Sequence, residues 1–120
     1  MKKVLIVEDE EAILEALEAK FTAEKFKVAR AKNGLEGLDV FSSFKPDLIL
    51  LDILMPIMDG VTMLKKLRAS EKGKKVPVII LTNLSDDEKV AEALAAGSHE
   101  YLVKSNWKID DVVKKVKEKI

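Results

Sequence analysis

No cysteine occurs among the 120 residues, which excludes a disulfide framework, a thiolate nucleophile and a cysteine-built metal site. Glutamine is absent as well, and 35% of the residues are charged, a balance that leans toward a heat-adapted source. Charge of one sign is not in excess: 21 basic residues offset 21 acidic ones, leaving no basic surplus to neutralise a nucleic-acid backbone. No apolar run approaches the roughly 20 residues of a membrane span, and the opening "MKKVLIVEDE" turns acidic too early for a secretory signal. A soluble cytoplasmic protein that contacts neither nucleic acid nor membrane is therefore the expectation. Repeats, low-complexity tracts and linkers are missing too, so residues 1–120 read as one domain with a real core.

What is present alternates. Five short apolar runs, "KVLIV" (Lys3 to Val7), "KVARA" (Lys27 to Ala31), "DLILL" (Asp47 to Leu51), "VPVIIL" (Val76 to Leu81) and "EYLVK" (Glu100 to Lys104), read as strands. Between them lie segments of helical period, with stripes at Ile13, Leu14, Leu17 and Phe21, at Leu35, Leu38 and Phe41, and at Val61, Leu64 and Leu67. A last stripe comprises Ile109, Val112, Val113, Val116 and Ile120. Asn33 with Glu36 and Ser85 with Glu88 have capping-box spacing, Asp59 can cap the third helix, and Gly97 can end the fourth. The expected architecture is α/β: a (βα)5 doubly wound three-layer sandwich of flavodoxin-like type, with a five-stranded parallel sheet in the order 2-1-3-4-5. In such sheets, sites form beyond the carboxyl ends of the strands.

The residues at those ends carry chemistry. Strand one runs out into Glu8 and Asp9, strand three into Asp52, strand four into Thr82 and strand five into Lys104. Each has a plain alternative: Glu8 and Asp9 as caps of the first helix, Thr82 as a turn residue, Lys104 as a solvated charge. Asp52 is harder to dismiss, because a carboxylate ending an apolar strand needs a partner. Three carboxylates brought together repel unless a cation sits among them, and an oxygen-rich site of this kind suits Mg²⁺. Beside a Lys and a Thr, such a cluster is what phosphoryl transfer to an aspartyl nucleophile needs.

Through "VLIVEDE", "DLILLDILMPIMDG", "VPVIILTN" and "EYLVK" the chain resembles, from end to end, the response-regulator receiver domains of two-component signalling. The resemblance implies Asp52 as phospho-acceptor, and Asp9, Asp52 and the backbone carbonyl of Leu54 as Mg²⁺ ligands, with Glu8 reaching the metal through water. It implies Thr82 as the switch hydroxyl, Lys104 as the lysine that pairs with the phosphoryl group, and Tyr101 as the aromatic that moves inward when Thr82 is engaged. A strand Tyr is otherwise half-buried core. The implied function is a phosphorylation-activated switch, not a turnover enzyme. Its donor would be a histidine kinase or a histidine phosphotransfer protein. It would signal to an unidentified downstream protein through the face of helix four, strand five and helix five, as a monomer or weak dimer.

Three departures stand out. Ser105 follows Lys104 where the family has a proline with a cis bond, and a cis bond before a non-proline residue costs about 2.5–4 kcal/mol. "SNW" adds a residue and places Trp107 where an aromatic anchors helix five. Asn83 stands where a small residue is usual and, with Leu54 and Leu84, offers little to orient a hydrolytic water, so a long-lived phospho-Asp52 is expected. His99 reads as a loop residue and the lysines of the final helix as a solvated face. Alternatives are a pseudo-receiver that is never phosphorylated and a receiver cut from a longer regulator. A haloacid-dehalogenase-type phosphohydrolase would need Asp at the place of Leu54, and a nucleotide module would need a Gly-rich loop after strand one.

Overall fold

The computed structural model describes residues 1–82, 87–98, 100–104 and 108–120. In chain order the elements are β1 (Lys3–Val7), α1 (Glu11–Ala23), β2 (Lys27–Ala31), α2 (Gly34–Phe44), β3 (Leu48–Asp52), α3 (Gly60–Ala69), β4 (Val78–Thr82), α4 (Asp87–Ala95), β5 (Glu100–Val103) and α5 (Ile109–Lys119). The strands are all parallel, in the order β2-β1-β3-β4-β5, as expected. The boundaries differ slightly: β3 and β4 each run one residue further than their apolar runs, so Asp52 and Thr82 lie inside the last ladder positions.

Strand alternation divides the core into two layers. Val4, Ile6, Leu48, Leu50, Ile79 and Leu81 face Leu14, Leu17 and Phe21 of α1 and Val112, Val113 and Val116 of α5. Leu5, Val7, Ile49, Leu51, Val78 and Ile80 face α2, α3 and α4, through residues such as Met63, Leu64 and Ala93. Both faces are covered, which is why the central strands carry unbroken apolar runs. Each fully buried Leu, Ile or Phe contributes roughly 1.5–3 kcal/mol of transfer free energy.

The expected stripes hold except on α2. Leu35 is 49% exposed, while Gly34 and Gly37 occupy the buried face. An added Cβ at Gly34 would come within 2.8 Å of the Met58 carbonyl oxygen, and one at Gly37 within 2.9 Å of the Met63 thioether. The sheet-facing side of α2 therefore starts with glycines, because the loop after β3 crowds Gly34 and the Met63 side chain of α3 crowds Gly37.

Helix ends follow the sequence signals. Asn33 Oδ1 accepts from Glu36 N–H (2.8 Å), although the Glu36 carboxylate reaches back to Lys32 N–H rather than Asn33 N–H. Asp59 Oδ1 accepts from Thr62 N–H (2.8 Å). Gly97, at φ 106, closes α4 with Gly97 N–H on Leu94 O and Ser98 N–H on Ala93 O, the two bonds of a Schellman motif. The Ser85–Glu88 cap, Asn83, Leu84, His99, the Lys104–Ser105 bond and Trp107 concern positions outside the described residues. Three of the four lysines on α5 are paired: Lys117 with Glu24, and Lys115 and Lys119 with Glu100.

Arg68 ties the far end of α3 to α4. Its guanidinium donates to the Gly97 carbonyl through Nη2 (2.7 Å) and Nε (3.2 Å), and to the Gly73 carbonyl through Nη1 (2.7 Å). Arg68→Ala leaves two carbonyls without these donors and is expected to lower stability in urea melts by about 1–3 kcal/mol. A loss inside about 0.5 kcal/mol, the range of an ordinary surface change, would contradict that role.

Candidate functional site

Register brings the site together. Val7 pairs with Leu51, Asp52 with Leu81 and Thr82 with Val103, so the strands end at nearly one level. Continuing the alternation, Glu8, Asp52 and Lys104 fall on the side of α1 and α5, the side of Ile6, Leu50 and Leu102, whereas Thr82 follows Ile80 toward α3 and α4. Strand position alone therefore sets the carboxylates and the lysine together with the hydroxyl alongside.

Glu8 and Thr82 are buried, Asp52 is 4% exposed, and Asp9 lies at the surface. One carboxylate oxygen from each of Glu8, Asp9 and Asp52 lies within 4.8 Å of the others. The Lys104 ammonium bonds directly to Glu8 Oε1 and lies 3.6 Å from Asp52 Oδ1 and 3.6 Å from Glu10 Oε1. Asp52 Oδ1 also accepts from Ile53 N–H (2.9 Å). Glu8 Oε2 also accepts from the N–H of Glu10, the residue that precedes the first turn of α1.

Electrostatics follow from this crowding. Burial, reinforced by the Glu8 charge and opposed by Lys104, pushes the Asp52 carboxyl up to about 8. Burial alone would lower the Lys104 ammonium, but its bond to Glu8 and the charges of Asp52, Glu8 and Glu10 outweigh that and raise it. Buried carboxylates outnumber the one ammonium between them, so the cluster favours a further cation. Its all-oxygen donor set with Asp9 open to solvent fits Mg²⁺, which takes few carboxylates and keeps waters.

Of the residues singled out from sequence, Glu8, Asp9, Asp52 and Lys104 meet directly. Thr82 sits at the end of the adjacent strand, and Tyr101 is half exposed on β5, in register with Ile80. Leu54 is 61% exposed at the mouth. Three participants escaped the sequence reading. Glu10 was legible only as part of the acidic run Glu8–Glu11, Ile53 acts through its backbone, and Gly60 packs against the Asp52 carbonyl.

Comparison with known proteins agrees with this geometry. The family model for the response regulator receiver domain matches residues 4–117. The chain is 38% identical over 111 residues to the response regulator PleD of Caulobacter vibrioides, covering 92% of this chain and 24% of that protein. It is 36% identical over 104 residues to the transcriptional regulatory protein AfsQ1 of Streptomyces coelicolor, covering 87% of this chain and 45% of that protein. It thus spans less than half the length of these curated relatives. The solved structure of the chemotaxis response regulator CheY4 of Vibrio cholerae superposes with a TM-score of 0.91 at 28% identity, covering 100% of this chain and 99% of that one. A CheY-like receiver domain protein from Methanospirillum hungatei superposes with a TM-score of 0.91 at 31% identity, covering 99% and 93%. With the sheet order, the acidic mouth and these matches in agreement, the chain belongs to the response regulator receiver domain family of two-component signalling.

Proposed function

We propose that the chain is a phosphorylation-driven switch in which Asp52 accepts a phosphoryl group from the phosphohistidine of a histidine kinase or a histidine phosphotransfer protein. The observation that carries this reading is the buried Asp52 carboxylate, set among Glu8, Asp9 and Lys104 at the carboxyl edge of the sheet. An Asp52 oxygen attacks phosphorus, the phosphorus–nitrogen bond breaks, and its electron pair stays on the imidazole nitrogen. Lys104 then exchanges carboxylate partners for a phosphoryl oxygen, and the Thr82 hydroxyl donates to another. Asp9, Asp52 and the Leu54 backbone carbonyl would hold Mg²⁺ directly and Glu8 through water; when bound, the ion adds positive charge beside the phosphoryl oxygens.

In this reading the output is carried by the α4–β5–α5 face, with Tyr101 moving inward as Thr82 is engaged, to a downstream protein that recognises the change. The protein works in the cytoplasm as a monomer or weak dimer, with no nucleic-acid or membrane partner, and it assists its own phosphorylation and hydrolysis without being a turnover enzyme. Among the described residues, no helix is long and apolar enough to cross a membrane. Residues 1–120 form a single receiver domain, which is either a free-standing regulator or the receiver part of a longer one.

Intact-mass spectrometry after incubation with acetyl phosphate tests the reading. One phosphoryl adduct that requires both Mg²⁺ and Asp52 is expected. A folded protein that binds Mg²⁺ yet takes no adduct would be a constitutive interaction module instead.

The lifetime of the adduct is a separate prediction. The Leu54 side chain at the mouth is apolar and offers no hydrogen bond to an attacking water. Label on Asp52 is therefore expected to decay over minutes or longer without a phosphatase. Decay within seconds in Mg²⁺ would refute this.

A further inference from the structure

The edge of the sheet opposite Asp52 carries a surface that the reaction does not use. In their first turns α2 and α3 pack closely, with Gly37 against the Met63 side chain. At their C-terminal ends, by the amino ends of β3 and β4, the same helices leave a groove. Two adjoining cavities of about 300 and 310 Å³ form it, and Phe41 and Lys72 line both. The floor is apolar: Leu38, Phe41 and Val76 are half-buried there beside the buried Leu67 and Pro46.

The rim is cationic. Lys45 from the end of α2, Lys66 from the last turn of α3 and Lys72 from the loop before β4 line the groove and are exposed, against one acid, Glu71. Residues 65–75 as a whole hold Lys65, Lys66, Arg68, Lys72, Lys74 and Lys75, with Glu71 alone of opposite sign. Among the described residues, no carboxylate lies within ion-pair distance of Lys45, Lys66 or Lys72, whereas Lys20, Lys32, Lys104, Lys115, Lys117 and Lys119 are paired. Lys45 also caps α2 at φ 54, in the left-handed region where glycine is the less strained residue. In a chain of zero formal net charge, an uncompensated group of cations thus surrounds an apolar floor.

We propose that this groove binds an acidic segment of a partner protein, which lays a bulky apolar side chain on Phe41 and sets carboxylates against Lys45, Lys66 and Lys72. Charge complementarity selects an acidic occupant, and the apolar floor selects a polypeptide among anions. A small anion would answer the lysines and leave Phe41 wet. A phosphodiester backbone likewise brings charge without an apolar side chain to fill the cavities. Because the groove lies at the sheet edge remote from Asp52, the contact is held whether or not Asp52 is phosphorylated. It tethers the switch to its partner and does not report its state.

The test is to pan a phage-displayed random peptide library on the immobilised protein and to measure the selected peptide by fluorescence polarisation. Enriched peptides are expected to carry Asp or Glu flanking Phe, Trp or Leu, and to lose affinity as salt rises. Lys72→Glu and Ser42→Glu, both at exposed positions lining the groove, should each weaken binding about tenfold. Lys45→Gly should weaken it about threefold and yet melt at or above the wild-type temperature, since glycine accepts the left-handed turn. Lys114→Glu makes the same change of charge on α5, which covers the other face of the sheet, and should leave the affinity unchanged. Asp52→Asn should leave it unchanged too.

Enriched peptides without acidic residues, or no enrichment at all, would overturn the proposal. So would an affinity that Lys72→Glu and Ser42→Glu leave intact in folded protein. Binding of phosphatidylglycerol vesicles or of a labelled oligonucleotide through the same lysines, with no acidic peptide selected, would give the surface to a membrane or a nucleic acid and overturn it as well. Concentration-dependent dimerisation that Lys72→Glu abolishes would assign the groove to a second copy, with the same consequence.

Discussion

Replacing Asp52 with asparagine is expected to abolish the phosphoryl adduct and, without Mg²⁺, to make the protein more stable at pH 8 than wild type. The first effect follows from loss of the nucleophile. The second follows from linkage. The Asp52 carboxyl is raised to about 8 in the folded protein, by burial and then by Glu8, against an unfolded value of about 3.9. Between those values the folded state holds a proton that the unfolded state has released. Stability from this group is therefore fully present below about pH 4 and is lost as pH rises through about 8.

Comparison with Asp52→Asn isolates this group in the window from pH 5 to pH 8. Glu11, Glu24, Asp59, Glu100 and Asp110 are all lowered, so their contributions are lost only as pH falls below the ordinary carboxylate range. Lys104 is raised from an already high value and titrates above the window. Wild type should lose on the order of 2–3 kcal/mol between pH 5 and pH 8, while Asp52→Asn should stay nearly flat. Mg²⁺ should restore wild type at pH 8 and do little for the variant, because binding to the folded state alone adds stability by mass action. Urea melts at the two pH values, with and without the ion, measure all of this. Parallel slopes for the two proteins would show that Asp52 does not carry the strain of the acidic mouth.

The second large effect is expected at Gly60. An added Cβ there would lie 2.1 Å from the Asp52 carbonyl oxygen and 3.0 Å from Ile53 Cα, and both are backbone atoms of the strand end that presents the nucleophile. Gly60 N–H also donates to the Ile53 carbonyl at 2.8 Å, so α3 starts flush against β3. No rotamer change relieves such a contact. Gly60→Ala should cost about 3 kcal/mol or more and should reduce Asp52 labelling in whatever protein remains folded. Gly37→Ala provides the contrast. There the added methyl meets the end of the Met63 side chain at 2.9 Å and the Val7 methyl at 3.2 Å, and a flexible thioether can move. Its cost should be nearer 1 kcal/mol. Wild-type stability in Gly60→Ala would mean that the β3–α3 junction is looser than its geometry implies.

Most of the fold was legible because its constraints are local and periodic. A parallel strand covered on both faces must be apolar throughout, so "LIVE" and "LILLD" mark both the strand and the point where it meets solvent. Amphipathic helices between such strands leave few topologies, and the carboxyl edge then collects Glu8, Asp9, Asp52, Thr82 and Lys104 by connectivity alone. The sequence by itself therefore determined the layers, the strand order and the chemical types gathered at the mouth.

Tertiary structure decided the rest. Period-counting gave Leu35 to the buried stripe of α2, but the buried face is taken by Gly34, which the loop after β3 crowds, and by Gly37, which packs against Met63 and Val7. Which carboxylate holds Lys104 could not be read from spacing, since Glu8 and Lys104 are far apart in the chain and meet only through the register of β1, β3, β4 and β5. The left-handed backbone of Ile57 (φ 69) and the contact of Gly60 with the Asp52 carbonyl also depend on how one loop closes over its own strand. Side-chain pattern records which residues prefer to leave water, whereas close approaches between segments remote in sequence depend on where the packed elements bring them.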